Sequence, residues 1–328
     1  MSAVLLEAPP LDIGVASVVR EGLGRPDKRL PAWLLYDDEG SRLFERITLL
    51  PSYYLTRAER AVLEMNGGEI LDVAGGADLE EVVELGAGTA TKSQLLLEVL
   101  VARRGSTRFV PVDVSAAPVN LARARLARQL PTVRVAPLFQ RHEGALAALA
   151  TRPARRVVLF LGSSIGNLEP DEARSLLRAV RWCVTPGPDG SGGMLVLGTD
   201  LRKSPEMLIP AYDDPEGVSA SFNKNVLTRI NRELGGRFDL AAFRHVAEWN
   251  EAGSRMEMYL ESLHEQSVPI AALGMTVHLG EGERIHTESS QKYGLDDVDA
   301  MLQSAGLRRI QTWMDPLERF AVHVAGVG

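Results

Sequence analysis

Residues 80–113 read EEVVELGAGTATKSQLLLEVLVARRGSTRFVPVD. A short apolar run ends in the glycines Gly86 and Gly88. A segment follows with apolar residues at three- and four-residue spacing, and a second apolar run closes the stretch. Strand, turn, helix, strand is one unit of a parallel sheet. The alternation continues with a helix at APVNLARARLARQL, a third strand at VRVAPLF and a fourth at RRVVLFLGSSIGN. The fourth is nearly all apolar, as a central parallel strand must be. A helix at DEARSLLRAVRWCV and a fifth strand at GGMLVLGTD complete the series. Alternation this regular predicts a doubly wound α/β sheet.

On either side of that core the character changes. Before residue 66 the pattern is helical, at Leu34 and Leu35, GSRLFERITLL and RAERAVLEM, with Pro51 and the pair Tyr53-Tyr54 between the last two. The stretch TPGPDGSGG, residues 185–193, reads as a loop. After Asp200 the alternation stops. Residues 201–250 read as helices and loops, and RMEMYLESL, MTVHLGEGERI and HTESSQKY as antiparallel strands. A helix at DDVDAMLQSAGL precedes a terminal strand pair, RRIQTWM and RFAVHVAGV. Parallel strands closed by an antiparallel C-terminal hairpin resemble the Rossmann-like sheet of class I methyltransferases. The expected division is 61–200 plus 291–328 as the sheet domain, with 1–60 plus 201–290 as a second, α+β substrate-binding domain. Open α/β sheets bind ligands at the carboxyl ends of their strands.

The chain's 328 residues suffice for about two compact units. With 45% hydrophobic and 24% charged residues, wholesale disorder is excluded. Cys183 is the single cysteine, so no intramolecular disulfide forms, and six scattered histidines give no metal spacing. A net charge of −7 argues against nucleic acid as a partner and suits a cationic ligand. No run approaches the ~18 apolar residues of a membrane span. The N-terminus has no basic segment ahead of its apolar residues and is broken by Glu7, Pro9 and Pro10, so it reads as no leader peptide. The expectation is a cytoplasmic monomer acting on a small molecule.

Three chemistries could use VVELGAGTATKS. A dinucleotide fingerprint accounts for Gly86 and Gly88 but puts Thr91 at its third glycine. A phosphate-binding loop accounts for Gly86, Lys92 and Ser93, with Thr91 again misplaced. Neither explains Glu84, an acid that would oppose a phosphate. The third is S-adenosylmethionine, whose cationic sulfonium and ammonium suit an acid beside the turn. Glycine there lets backbone approach the ligand. Asp113, ending the second strand, is placed to accept hydrogen bonds from both ribose hydroxyls, each contributing ~1.5–3 kcal/mol. A purely structural strand-to-helix turn stays open as a fourth reading.

Further segments share one resemblance. YDDEGSRLFERITLLPSYYLTRAE at 36–59, ELGAGTATK at 84–92, LGSSIGNL at 161–168, AYDDPEGVSASFNKNVL at 211–227 and HTESSQKY at 286–293 together resemble the histidine Nα-methyltransferases of ergothioneine biosynthesis. The resemblance spans roughly residues 30 to 325. It implies S-adenosylmethionine as methyl donor and three successive methylations of L-histidine to the betaine hercynine. It further implies that Asn167 and Tyr212 hold the substrate carboxylate, and that the Gly162 carbonyl lies beside the amine. Glu288 and Ser290 would hold the imidazole, Met258 would pack on it, and Tyr36 and Tyr53 would complete the pocket. Gly86, Lys92 and Asp113 would serve the methyl donor, with Phe139 near the adenine. Where the family has an acid before that phenylalanine, this chain has Leu138.

The residues themselves support part of this. Glu288 and Ser290 stand two apart in an expected strand, so both leave one face. A carboxylate accepts from an imidazole N–H while a hydroxyl answers the other nitrogen. Ordinary alternatives exist for each residue: Asn167 as a cap for the following helix, Tyr53, Tyr54, Tyr212 and Met258 as packing, Lys92 as an exposed helix lysine. Methyl transfer from a sulfonium needs no enzyme nucleophile, so no catalytic base is expected and the named residues act by positioning.

Overall fold

The structure, a computed structural model, describes residues 12–152, 154–185 and 192–328. The N-terminal stretch 1–11 and most of the loop expected at 185–193 lie outside the described residues. In chain order the helices are α1 (Asp12–Gly24), α2 (Asp38–Leu49), α3 (Tyr54–Val73), α4 (Ser93–Arg104), α5 (Ala116–Gln129), α6 (His142–Ala150), α7 (Pro170–Val184), α8 (Pro205–Tyr212), α9 (Val218–Leu234) and α10 (Leu295–Ser304). The strands are β1 (Glu81–Leu85), β2 (Thr107–Asp113), β3 (Val133–Val135), β4 (Leu138–Phe139), β5 (Arg156–Phe160), β6 (Met194–Asp200), β7 (Phe243–Asn250), β8 (Arg255–Ser262), β9 (Gln266–Ile270), β10 (Met275–Leu279), β11 (Arg284–Gln291), β12 (Leu307–Met314) and β13 (Phe320–Val327). No described helix is long and apolar enough to cross a membrane.

Two compact units emerge. One comprises Leu55–Arg202 with Lys292–Gly328; the other comprises the described residues up to Tyr54 with Lys203–Gln291. The first unit holds a single sheet in the order β12-β13-β6-β5-β1-β2-β3. Its neighbours run parallel except β13, which is antiparallel to both β6 and β12. This is the expected Rossmann-like sheet with its closing hairpin. β1 and β5 are buried along their whole length, as central strands covered on both faces must be. The third expected strand is broken: β3 and β4 both pair with β2, and Pro137 between them has no N–H to continue a ladder. Helix α6, absent from the sequence reading, follows β4.

The second unit contains a three-stranded sheet, β11-β8-β7, and the hairpin β9-β10. Residues 243–250, expected as helix or loop, form β7 instead. Their register with β8 runs unbroken from Phe243↔Ser262 to Asn250↔Arg255, so cross-strand pairing overrides a mixed local pattern. MTVHLGEGERI is not one strand: it turns at Gly282, whose φ is +76°, and its end joins HTESSQ in β11.

Candidate active site

In the first unit the glycine turn joins β1 to α4. Gly86 and Gly88 have φ of +67° and +50°, a region that a side chain resists. A Cβ built on Gly88 meets nothing within 4 Å, so open space lies beside the backbone there. Gly88 N–H donates to Asp113 Oδ2 and Ser115 N–H to Asp113 Oδ1, each at 2.9 Å. Each carboxylate oxygen has a second lone pair, which leaves Asp113 fixed in place and still able to accept from two hydroxyls. Burial raises the Asp113 carboxyl, and the two backbone N–H groups pull it back. The acceptor positions left on Asp113 therefore fit the hydroxyls of a ribose.

Glu84 stands differently from an acid at the face of the turn. It is 3% exposed and accepts from Ser93 Oγ at 2.6 Å. Burial pushes it up to about 8, reinforced by the charges of Glu59 and Asp113 and opposed by Ser93 and Lys92. It is thus tied to the first residue of α4, and its burial favours the protonated form. Phe139 lies opposite Asp113 in the β2–β4 register. The partly buried Leu138 side chain packs against the hydrophobic core and offers nothing polar to an adenine edge.

The loop after β5 brings Gly162 and Asn167 to the carboxyl end of a central strand. Gly162 has φ +76° and Ser163 φ +57°. Ser163 Oγ accepts from Asp200 N–H at 2.9 Å, and Asp200 pairs with the fully buried Lys292 at 2.8 Å. Asn167 ends a 3-10 turn, Ser164–Asn167, and does not cap α7. That helix is closed by Glu169, whose N–H donates to Glu172, with Pro170 in its first turn. Lys92 is not a free surface lysine: its Nζ lies 2.5 Å from Glu59 Oε2.

The second unit gathers the remaining candidates. Met258 faces Glu288 across the β8–β11 ladder, and Met256 faces Ser290. The register shifts between His286 and Glu288, where Thr287 Oγ1 donates to Met258 O at 3.0 Å. Such a bulge re-aims the side chains that follow it. Tyr212 Oη and Ser290 Oγ are hydrogen-bonded at 2.8 Å. Tyr36 stacks edge-on against Phe44 and Phe222, and Phe44 against Tyr53. Burial holds the Tyr36 hydroxyl well above its ordinary value, with Glu288, Tyr53 and Tyr212 adding to the shift, so these four side chains share one neighbourhood.

Several supports went unread in the sequence. Asp37 caps α2 by accepting from Gly40 N–H at 2.8 Å, and it also receives Asn225 and Arg232, which fixes the residue next to Tyr36. His245 links Tyr212 to Asn223: its Nε2 is 2.9 Å from Tyr212 O, and its Nδ1 is 2.9 Å from Asn223 Nδ2. Asn223 Nδ2 also donates to Tyr259 O, which fixes the amide orientation. His245 Nδ1 is therefore the acceptor and Nε2–H the donor, and burial lowers its pKa toward that neutral form. In the first unit His142 was missed: a Cβ on Gly86 would lie 3.7 Å from its Nε2. Only Glu59 left a readable trace, as an acid on the apolar stripe of Leu55, Ala58, Val62 and Leu63. Among the described residues no cluster of His, Cys, Asp and Glu is arranged to hold a metal ion.

Residues 15–327 match the family described as histidine-specific, S-adenosylmethionine-dependent methyltransferase. The histidine N-alpha-methyltransferase of Mycobacterium tuberculosis (strain CDC 1551 / Oshkosh) is 42% identical over 307 residues, covering 94% of this chain and 93% of that one. That of Mycolicibacterium smegmatis (strain ATCC 700084 / mc(2)155) is 40% identical over 310 residues, again 94% and 93%. The ergothioneine biosynthesis protein 1 of Schizosaccharomyces pombe (strain 972 / ATCC 24843) is 30% identical over 248 residues, 73% of this chain and 31% of that protein. The chain belongs to the family of histidine-specific, S-adenosylmethionine-dependent methyltransferases.

Proposed function

We propose that the protein methylates the α-nitrogen of L-histidine three times with S-adenosylmethionine, giving hercynine for ergothioneine biosynthesis. Family membership supports the reaction class. The observation that carries the choice of histidine is the buried set of Glu288, Ser290 and Met258 on paired strands, with Tyr212 bonded to Ser290. In this reading Glu288 accepts the imidazole N–H, Ser290 answers the other nitrogen and Met258 packs on the ring. Tyr212 and Asn167 take the carboxylate, Gly162 faces the amine, and Tyr36 and Tyr53 close the remaining sides. Glu84, Gly86, Gly88, Lys92, Asp113 and Phe139 serve the methyl donor.

The methyl donor supplies an electrophilic carbon on a cationic sulfur. The chain's task is to present an unprotonated amine in line with it. A peptide α-amine has a pKa of about 7.7–8.0, and a neighbouring carboxylate raises it in a free amino acid. Desolvation favours the neutral amine. Holding the reacting atoms ~3–3.5 Å apart supplies rate by orientation alone. Anchoring ring and carboxylate rather than the amine lets methyl groups accumulate on nitrogen without loss of grip.

Buried Cys183, the chain's single and free thiol, suits a reducing cytoplasm, and the proposed working form is a monomer. Calorimetry tests the reading: S-adenosylhomocysteine should bind, and L-histidine should bind its complex in preference to other amino acids. Binding of neither ligand ends the proposal.

A further inference from the structure

Helix α3 carries Glu59 with 0% exposure on an otherwise apolar face. A carboxylate buried this deeply is destabilising unless its oxygens are answered. Gly162 N–H donates to both, at 2.8 Å to Oε1 and 3.0 Å to Oε2, and Lys92 Nζ lies 2.5 Å from Oε2. The surrounding backbone is shaped to the carboxylate. A Cβ on Gly198 would come within 2.3 Å of Oε1, and one on Gly162 within 3.0 Å of Lys92 Nζ.

We propose that Glu59 is a positioning residue that sets the cofactor-side Lys92 and the substrate-side Gly162 with one carboxylate, and cancels the lysine's charge at the glycine turn. This rests on the roles given to Lys92 and Gly162 under the proposed function. Two physical consequences follow from the contacts. Tying the Gly162 N–H fixes the Leu161–Gly162 peptide plane, the anchor from which the Gly162 carbonyl is presented. Pairing Lys92 removes a net positive charge that would otherwise repel a cationic sulfonium, while leaving two of the three ammonium N–H groups for a ligand.

Charge cancellation makes a distinction that a merely structural acid does not. S-adenosylmethionine carries the sulfonium charge and S-adenosylhomocysteine lacks it. Glu59→Gln keeps size and one acceptor but unpairs Lys92. It should weaken S-adenosylmethionine about tenfold more than S-adenosylhomocysteine by calorimetry. Adding Lys92→Met should return that ratio to the wild-type value, whatever happens to absolute affinity. Turnover of L-histidine by Glu59→Gln should fall about ten- to a hundredfold through misplacement of the Gly162 loop. An unchanged ratio overturns the proposal, and so does unchanged turnover. If Glu59→Gln does not fold, Glu59→Asp decides: it keeps the charge and withdraws the carboxylate by one methylene, so the ratio should persist while turnover drops. Full turnover by Glu59→Asp overturns the proposal. Should wild-type protein make no methylated histidine, the proposed function fails, and the affinity ratio in Glu59→Gln still decides the role of Glu59.

Discussion

Around the glycine turn, the ionisable side chains are already engaged by protein groups: Asp113 by two backbone N–H donors, Lys92 by Glu59, Glu84 by Ser93. In the antiparallel unit the gathered residues are mostly rings and short hydroxyls: Tyr36, Tyr53 and Tyr212, with Ser290, Met258 and one acid, Glu288. In the proposed reading the first arrangement binds the methyl donor by what fixed groups have left over. The second is shaped by strand register and aromatic packing, and in the proposed reading it carries the choice of substrate. Affinity for the two ligands should therefore be separable by mutation.

The largest expected effect is on the first region. Asp113→Ala removes an acceptor for two ribose hydroxyls, each bond contributing ~1.5–3 kcal/mol, so S-adenosylhomocysteine affinity should fall about a hundredfold or more by calorimetry. Retained affinity would break the assignment. Next, Glu288→Ala should raise the KM for histidine about ten- to a hundredfold and leave S-adenosylhomocysteine binding unchanged. Equal weakening of both ligands would erase the division between the regions. Tyr212→Phe deletes the hydroxyl bonded to Ser290, and a threefold to tenfold rise in histidine KM is expected, with the methyl donor again unaffected.

The smallest effect on binding belongs to Glu84, and pH reads it. Its carboxyl is raised to about 8 in the fold, against an ordinary value of 4.5. The native state therefore holds one more proton than the unfolded chain between those values. Stability from this group is fully present below about 4.5 and is lost as pH rises toward about 8. Urea denaturation of the ligand-free protein across that window should show the decline, and Glu84→Gln should flatten it. An unchanged slope in the variant would mean that Glu84 is ionised in the fold.

The regions also differ in how much of them the sequence disclosed. The parallel sheet and its turn were readable because their signals are local: apolar runs, glycines at 86 and 88, an acid at the end of each of two strands. Glu288 and Ser290 were readable as a pair because strand periodicity puts them on one face. What holds them was not. The cap that fixes the chain beside Tyr36 depends on Asn225, 188 residues away, and the Gly162 loop depends on Glu59, 103 residues back. β7 escaped because its partner strand, not its own composition, makes it a strand. Long-range partners leave little mark on a sequence except where, as at Glu59, a charge interrupts an apolar stripe.

The central claim is the reaction itself, and its product tests it most directly. L-Histidine incubated with the protein and S-adenosylmethionine should yield mono-, di- and then trimethylated histidine by mass spectrometry, with proton NMR placing all three methyl groups on the α-nitrogen. Methyl groups on the imidazole, or no methylated histidine from folded protein that binds the donor, would contradict it.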